Sequence, residues 1–394
     1  MKYDFDVVVD RRGTNSLKFD FALERGYPAD ALPLWVADTD FAAPPEVIRA
    51  LHTVADHGIF GYTDAKPEDL QPIQAWFAQR HGWMFQPEWL LFVPGVVFAV
   101  ATAINAVTQP GEGVLIQRPV YYPFSNMIQR NNRRLVNNPL CYKNGRYEMD
   151  FADFERKIIE ENVKLFILCS PHNPVGRVWS TEELTRVGKI CARHSVVVLS
   201  DEIHCDFTFP GCKHTIFPAL GAAFEQNCIL CTAPSKTFNL AGLQLANMIV
   251  PNPELRQKVQ RAKGATGYSH PGAFSLAGAR AAYAHGGEWL EELLVYLKGN
   301  LNFTRDYLEK NLPQVKLVEP EGTYLLWLDF RALGLSKEAQ HSLIVERAGL
   351  WLDSGSMFGP EGDGFERINI ACPRSVLKQA LGQLEEAVNN HAGC

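Results

Sequence analysis

Short aliphatic runs alternate with amphipathic stretches through the middle of the chain. Leu165–Cys169, Val196–Leu199, Ile229–Cys231 and Ala246–Val250 are apolar at nearly every position. Strands that are apolar on both faces suit a parallel sheet covered by helices on each side. Between the first two runs, Ser180-Thr181-Glu182-Glu183 has the form of a capping box, followed by Leu184, Val187, Ile190 and Cys191 at helical spacing. Strand, helix and strand in this order make a βαβ unit, and its repetition predicts an α/β fold.

The last hundred residues carry a different pattern. A long helix is predicted from Glu288 through Leu293, Leu297, Leu301 and Tyr307 to about Asn311. Strands follow at Thr323–Phe330, Leu350–Asp353 and Arg367–Ala371, with a helix over Ser336–Ala348 and a last one from Val376. Mixed elements with longer loops predict a smaller α+β domain. Residues 46–285 then form a large domain and 286–394 a small carboxyl-terminal one. Residues 1–45 read as an arm packing near the substrate entrance. No internal repeat or linker interrupts this plan.

Composition narrows the class. The 394 residues are 46% hydrophobic and 21% charged, with 30 glycines and 24 prolines, so a collagenous or low-complexity chain is excluded. A net charge of −6 without a basic block disfavours a nucleic-acid partner. No apolar run reaches the ~20 residues of a membrane span. Acidic residues at Asp4 and Asp6 fall where a signal peptide needs its apolar stretch, so a cytoplasmic location is expected. Nine scattered cysteines then read as free thiols. Cys228-Ile229-Leu230-Cys231 matches C-x-x-C, but aliphatic centres and the lack of a second pair at zinc spacing favour core cysteines in a strand. No metal site is expected.

Four signals fall at ends of predicted strands, where open α/β sheets bind ligands. They are Val93-Pro94-Gly95-Val96-Val97, Ser170-Pro171-His172-Asn173-Pro174, Asp201-Glu202-Ile203-His204 and Ser235-Lys236-Thr237-Phe238-Asn239. Singly, each has an ordinary explanation: a helix turn, an Asn-Pro turn, a carboxylate cap, a solvated lysine. Together they match the needs of pyridoxal 5'-phosphate: a lysine for a Schiff base, an acid for the pyridine nitrogen and a phosphate cradle. Lys236 would be the Schiff-base lysine and Asp201 the nitrogen's partner. Asn173 would donate to the phenolic oxygen, and the amides of Val96 and Val97 would bind phosphate at a helix amino terminus. Tyr121 is placed to stack on the ring.

In this order the motifs resemble the fold-type I pyridoxal-phosphate enzymes, and within them the cystathionine β-lyase branch, the C–S lyases of the MalY/PatB type. The resemblance covers nearly the whole chain. It rests on Trp35-Val36-Ala37-Asp38-Thr39-Asp40-Phe41, Phe60-Gly61-Tyr62, Ala233–Gly242, Glu321–Asp329 and Cys372-Pro373-Arg374-Ser375. It implies a large domain with a mostly parallel sheet between helices, plus a smaller α+β carboxyl-terminal domain. It also implies a homodimer in which Tyr62 reaches the neighbouring subunit's cofactor. Arg367 matches the arginine that binds the substrate α-carboxylate. Arg374 fits either a substrate rim or a structural turn, and Asp38 and Asp40 either line the entrance or cap the segment after them.

Departures from related aminotransferases point to the lyase branch. Gln244 stands where an arginine usually contacts the phosphate, and His204 where tyrosine is common. Ala233 occupies a position often held by a phosphate-binding serine, leaving Ser235 or Thr232 to supply the hydroxyl. Ser354 replaces a proline before Gly355. The implied activity is α,β-elimination from cystathionine, cysteine or another S-substituted cysteine to a thiol, pyruvate and ammonia. Lys236 would be the base, with Tyr62 or Tyr121 assisting the proton relay. An aminotransferase would use the same residues, and a lyase with an added regulatory protein-binding role is a further alternative. A hydride-transfer enzyme is disfavoured, since no G-x-G-x-x-G follows any strand.

Overall fold

The computed structural model describes residues 2–392; Cys394, one of the nine cysteines, lies outside them. Seven strands form the main sheet: β1 Leu90–Val93, β2 Gly113–Ile116, β3 Arg134–Asn137, β4 Val163–Cys169, β5 Val197–Asp201, β6 Cys228–Thr232 and β7 Ala246–Ile249. Their spatial order is β1-β7-β6-β5-β4-β2-β3. The four pairings among β6, β5, β4, β2 and β3 are parallel. Strand β7 runs antiparallel to both β1 and β6. Its apolar pattern suggests another parallel strand, because burial on both faces leaves no mark of direction. Since β7 enters the sheet from the rim where the other six strands end, the turn before it, including Gln244, joins the same rim.

Packing on both faces explains the apolar runs. Leu165, Ile167, Leu199 and Ile229 turn to one side with helix Val96–Val107. Phe166, Leu168, Val198, Cys228 and Leu230 turn to the other, with helix Thr181–Arg193. That helix starts as its sequence predicts. Ser180 Oγ accepts from the Glu183 amide at 3.2 Å, and the Ser180 amide donates to Glu183 Oε2 at 2.8 Å. Replacing Ser180 by alanine is worth about 1 kcal/mol at such a cap. Cys228 and Cys231 are buried strand residues, and all eight described cysteines are free.

The carboxyl-terminal region begins with helix Gly287–Asn311, close to its predicted span. Its antiparallel sheet has the order β8-β9-β11-β10, formed by β8 Lys316–Val318, β9 Leu325–Asp329, β10 Asp353–Ser354 and β11 Phe365–Asn369. The predicted strand Leu350–Asp353 divides. Leu350–Trp351 pairs in parallel with Leu32–Pro33 of the arm, and only Asp353–Ser354 joins β11. The predicted helix over Ser336–Ala348 is α-helical only at Lys337–Ser342, then widens to a π-type turn at Leu343–Arg347. The last helix starts at Arg374.

The segment over residues 32–41 is held by backbone bonds at Leu32, Leu34 and Asp40 and by side chains from other elements. The carbonyls of Val36 and Asp38 each accept from Asn369 Nδ2 at 2.6 Å. Those of Thr39 and Phe41 accept from Asn239 Nδ2 at 3.0 and 2.9 Å. Trp35 and Tyr27 each stack on Trp351, at 4.5 Å between centroids. Gly176 joins the large sheet to the small one: its φ is +72°, and a Cβ there would lie 2.9 Å from Pro320. Its carbonyl accepts from the amides of Glu321 and Gly322.

Candidate active site

Six main-sheet strands finish at one rim, and the loops leaving β1, β4, β5 and β6 surround a cavity of ≈ 170 Å³ there. Its wall brings together Val96, Val97, Tyr121, Asn173, Asp201, His204, Ser235 and Lys236, all of them expected from the sequence. Ala37, Cys169, Ile203, Gln244 and Leu245 complete much of the rest. Thr232 is not in the wall; its hydroxyl accepts from Asn247 Nδ2 at 3.2 Å within the sheet, so Ser235 is the better-placed hydroxyl.

Each functional group has a local cause. Gly95 precedes helix Val96–Val107, and the leading amides of that helix have no intrahelical acceptor. Nothing lies within 4 Å of where a Gly95 Cβ would stand, so an anion can approach those amides. Asp201 ends β5, and its carboxyl accepts only from the Ile203 amide, at 3.1 Å. Burial raises its pKa to about 7. Lys236 sits on the short helix Pro234–Thr237, and burial lowers its pKa to about 8, against the opposing pull of Asp38. Its Nζ donates to the Ala37 carbonyl at 2.6 Å, which also accepts from the Tyr324 hydroxyl at 2.9 Å. His204 is held neutral: burial, then the charges of Lys236 and Arg367, lower its pKa to about 3. Burial raises the Tyr121 hydroxyl far above its ordinary range, so it stays protonated.

Arg367 reaches this group from β11. Its Nη1 donates to Asn173 Oδ1 at 3.0 Å and Nη2 to the Trp35 carbonyl at 2.6 Å. Nη2 also pairs with the buried carboxylate of Asp353, directly opposite it across the β10–β11 ladder. Nε is buried without a partner, which leaves a donor for an incoming carboxylate. Sequence reasoning missed Asp353 because only the strand register brings it to Arg367. Arg367→Lys is expected to raise KM for an amino-acid substrate by about tenfold, as the planar fork is lost while the charge stays. Steady-state kinetics would check it. Arg367→Ala would also strand Asp353 and cost about 3–5 kcal/mol of stability.

Glu366, next along β11, is pushed up to about 8 by burial, while a hydrogen bond from Gln340 at 2.8 Å opposes the shift. A carboxyl that holds its proton more tightly folded than unfolded stabilises fully below its unfolded pKa. That contribution falls as pH rises towards the folded value, then levels off. Glu366→Gln is expected to flatten part of the decline in urea midpoint between about pH 5 and pH 8. The Asp201 contribution, of the same sign up to about 7, remains in that variant.

Three expected residues lie elsewhere. Tyr62 is fully exposed and outside the cavity of its own chain. Asp38 is bound by Arg11 Nη2 at 2.6 Å and faces Lys18 Nζ at 3.7 Å, beside the cavity rather than in its wall. Arg374 takes the structural alternative: its Nε donates to Asn300 Oδ1 at 2.6 Å and its amide to the Tyr296 hydroxyl at 2.7 Å, at the start of the last helix.

A mostly parallel sheet with a buried lysine, an acid and an Asn–Arg pair at one rim defines an aminotransferase-like α/β enzyme class. The chain belongs to the family described as aminotransferase class I and II, whose model matches residues 29–384. It is 42% identical over 386 residues to the cystathionine beta-lyase PatB of Bacillus subtilis, covering 98% of this chain and 100% of PatB. It is 35% identical to protein MalY of Escherichia coli, covering 98% and 99% of the two chains. The crystal structure of cystalysin from Treponema denticola, which contains a pyridoxal 5'-phosphate cofactor, superposes with a TM-score of 0.96 at 37% identity, over 99% of this chain and all of that one.

Proposed function

We propose that this chain is a pyridoxal-phosphate-dependent C–S β-lyase that releases a thiol, pyruvate and ammonia from cystathionine or another S-substituted cysteine. The observation that carries the reading is the meeting of Lys236, Asp201 and Asn173 in one cavity wall, with Arg367 bonded to Asn173. The cystathionine β-lyase name of the relative PatB supports the choice within the family. The cavity fits the cofactor: free amides at Val96 and Val97 for phosphate, a buried carboxyl at Asp201 for the ring nitrogen, and Asn173 and Tyr121 at the ring.

When bound, the cofactor supplies the electron sink that lets the substrate Cα–H bond ionise. The chain does the rest. Arg367 holds the α-carboxylate and so fixes which Cα bond is aligned for cleavage, an orientation effect. Lys236, with a pKa near neutrality, takes the α-proton at Nζ and can return it to the departing sulfur. Neutral His204 adds no charge to compete with Asp201. The exposed Tyr62 is free to meet a second copy, which supports the homodimer reading. No helix among the described residues is long and apolar enough to cross a membrane.

Incubation of holoenzyme with cystathionine tests the reaction. Pyruvate and ammonia formed without a keto-acid acceptor are the expected products; strict dependence on an acceptor would make the chain a transaminase instead.

A further inference from the structure

Behind the cavity a second buried cluster has no part in the site described above. Asp206 lies five residues after Asp201 on the loop leaving β5, and its side chain is 3% exposed. Three hydrogen-bond donors and one guanidinium converge on its carboxylate. Oδ1 accepts from Trp76 Nε1 at 3.2 Å and His81 Nε2 at 2.9 Å, and forms an ion pair with the Arg80 guanidinium, Nε lying at 3.0 Å. Oδ2 accepts from the Thr237 hydroxyl at 2.7 Å. Trp76, Arg80 and His81 all come from helix Pro67–His81, while Thr237 directly follows Lys236.

His81, Cys205 and Asp206 also place metal-ligand atoms within 4.8 Å of one another. A cation is not what this carboxylate needs, since the Arg80 guanidinium, which it shares with Glu291, already supplies counter-charge. Desolvation works against its ionised form, but the bond from His81 and the charges of His81 and Arg80 hold its pKa below the usual carboxylate range. A buried carboxylate held by several donors and a guanidinium is a rigid fixture, because moving a donor away leaves a buried polar group short of a partner.

What it fixes is the short helix that carries Lys236. Helix Pro234–Thr237 has four residues, too few to hold its own shape. Phe238, beyond it, packs edge-on against Trp76 and Tyr283, on the same side as the Thr237 bond. Resting on the reading of Lys236 and Asp201 as the cofactor's partners, we propose that Asp206 is a positioning residue that sets Lys236 relative to Asp201 through the Thr237 hydroxyl. One loop thereby presents the acid at its start and anchors the lysine from its end.

Thr237→Val removes the hydroxyl at nearly constant shape. It is expected to lower kcat by about tenfold with KM changed less than twofold, the signature of misplacement rather than lost binding. Borohydride trapping of the cofactor on Lys236, read by mass spectrometry, should slow in the same variant, and Thr237→Ser should restore both. Asp206→Asn should show the same split. Combining it with Thr237→Val should add little further loss, since both act through one bond. Wild-type kcat and trapping rate in Thr237→Val, or a loss that serine fails to rescue, would overturn the proposal. A wild-type protein that traps no cofactor at all would instead overturn the functional reading beneath it.

Discussion

Lys236→Ala is expected to abolish covalent retention of pyridoxal phosphate and to lower kcat/KM by roughly 10²–10⁴-fold or more, the range attributed to a positioned proton-transfer group. Nζ lies in the wall of the cavity, and burial brings its pKa to about 8, so an appreciable neutral fraction exists near pH 7. Among the described residues its only hydrogen bond is to the Ala37 carbonyl, which keeps the Tyr324 hydroxyl as a donor in the variant. The fold should therefore survive, with a melting temperature close to wild type. Visible absorbance of the holoprotein, borohydride trapping and β-elimination rates together check the prediction. A variant that retains both the adduct and turnover would remove Lys236 from the mechanism.

Asp201→Asn should rank second, with a loss of roughly 10²–10³ in kcat, the scale for removing one preorganised electrostatic group from an active site. Burial, with a smaller push from the Glu202 charge, raises this carboxyl to about 7, and the bond from the Ile203 amide and the Lys236 charge do not offset that. A protonated ring nitrogen, were the cofactor held there, would favour the ionised form of Asp201. Asparagine keeps the shape but not the charge, so cofactor affinity should fall along with kcat. Without cofactor the sign inverts. Above about pH 7 the variant no longer buries a carboxylate and should resist urea at least as well as wild type. Urea midpoints at pH 6 and pH 9, with and without pyridoxal phosphate, separate these two effects; a kcat within twofold of wild type would contradict the assignment.

The contrast between Arg367 and Arg374 illustrates how far residue order carries. Both follow motif-like stretches on neighbouring elements. Only Arg367 sits on a strand whose register faces Asp353 and whose reach ends at Asn173. Arg374 is two residues past Cys372, where the chain turns into its last helix, and Asn300 captures it. Nothing local distinguishes the two; the partner elements do. Tyr62 is a similar case: it is fully exposed and stands outside the cavity of its own chain.

Local pattern determined the βαβ repetition, the Ser180 cap, the long helix before the small sheet and the order of the four rim motifs. These are properties of short segments: burial on both strand faces, side-chain-to-backbone bonds within a turn, and strand ends that must be loops. Only the tertiary structure decided the antiparallel course of β7, which brings Gln244 to the cavity, and the pairing of Leu350–Trp351 with the arm. The same holds for Asp353 beneath Arg367, the Ala37 carbonyl on Lys236, and Asp206 joining Thr237 to Trp76, Arg80 and His81. Each of these joins residues far apart in the chain. Their energies come from desolvation and from hydrogen-bond partners supplied by other elements, and neither is written in the residues next to them.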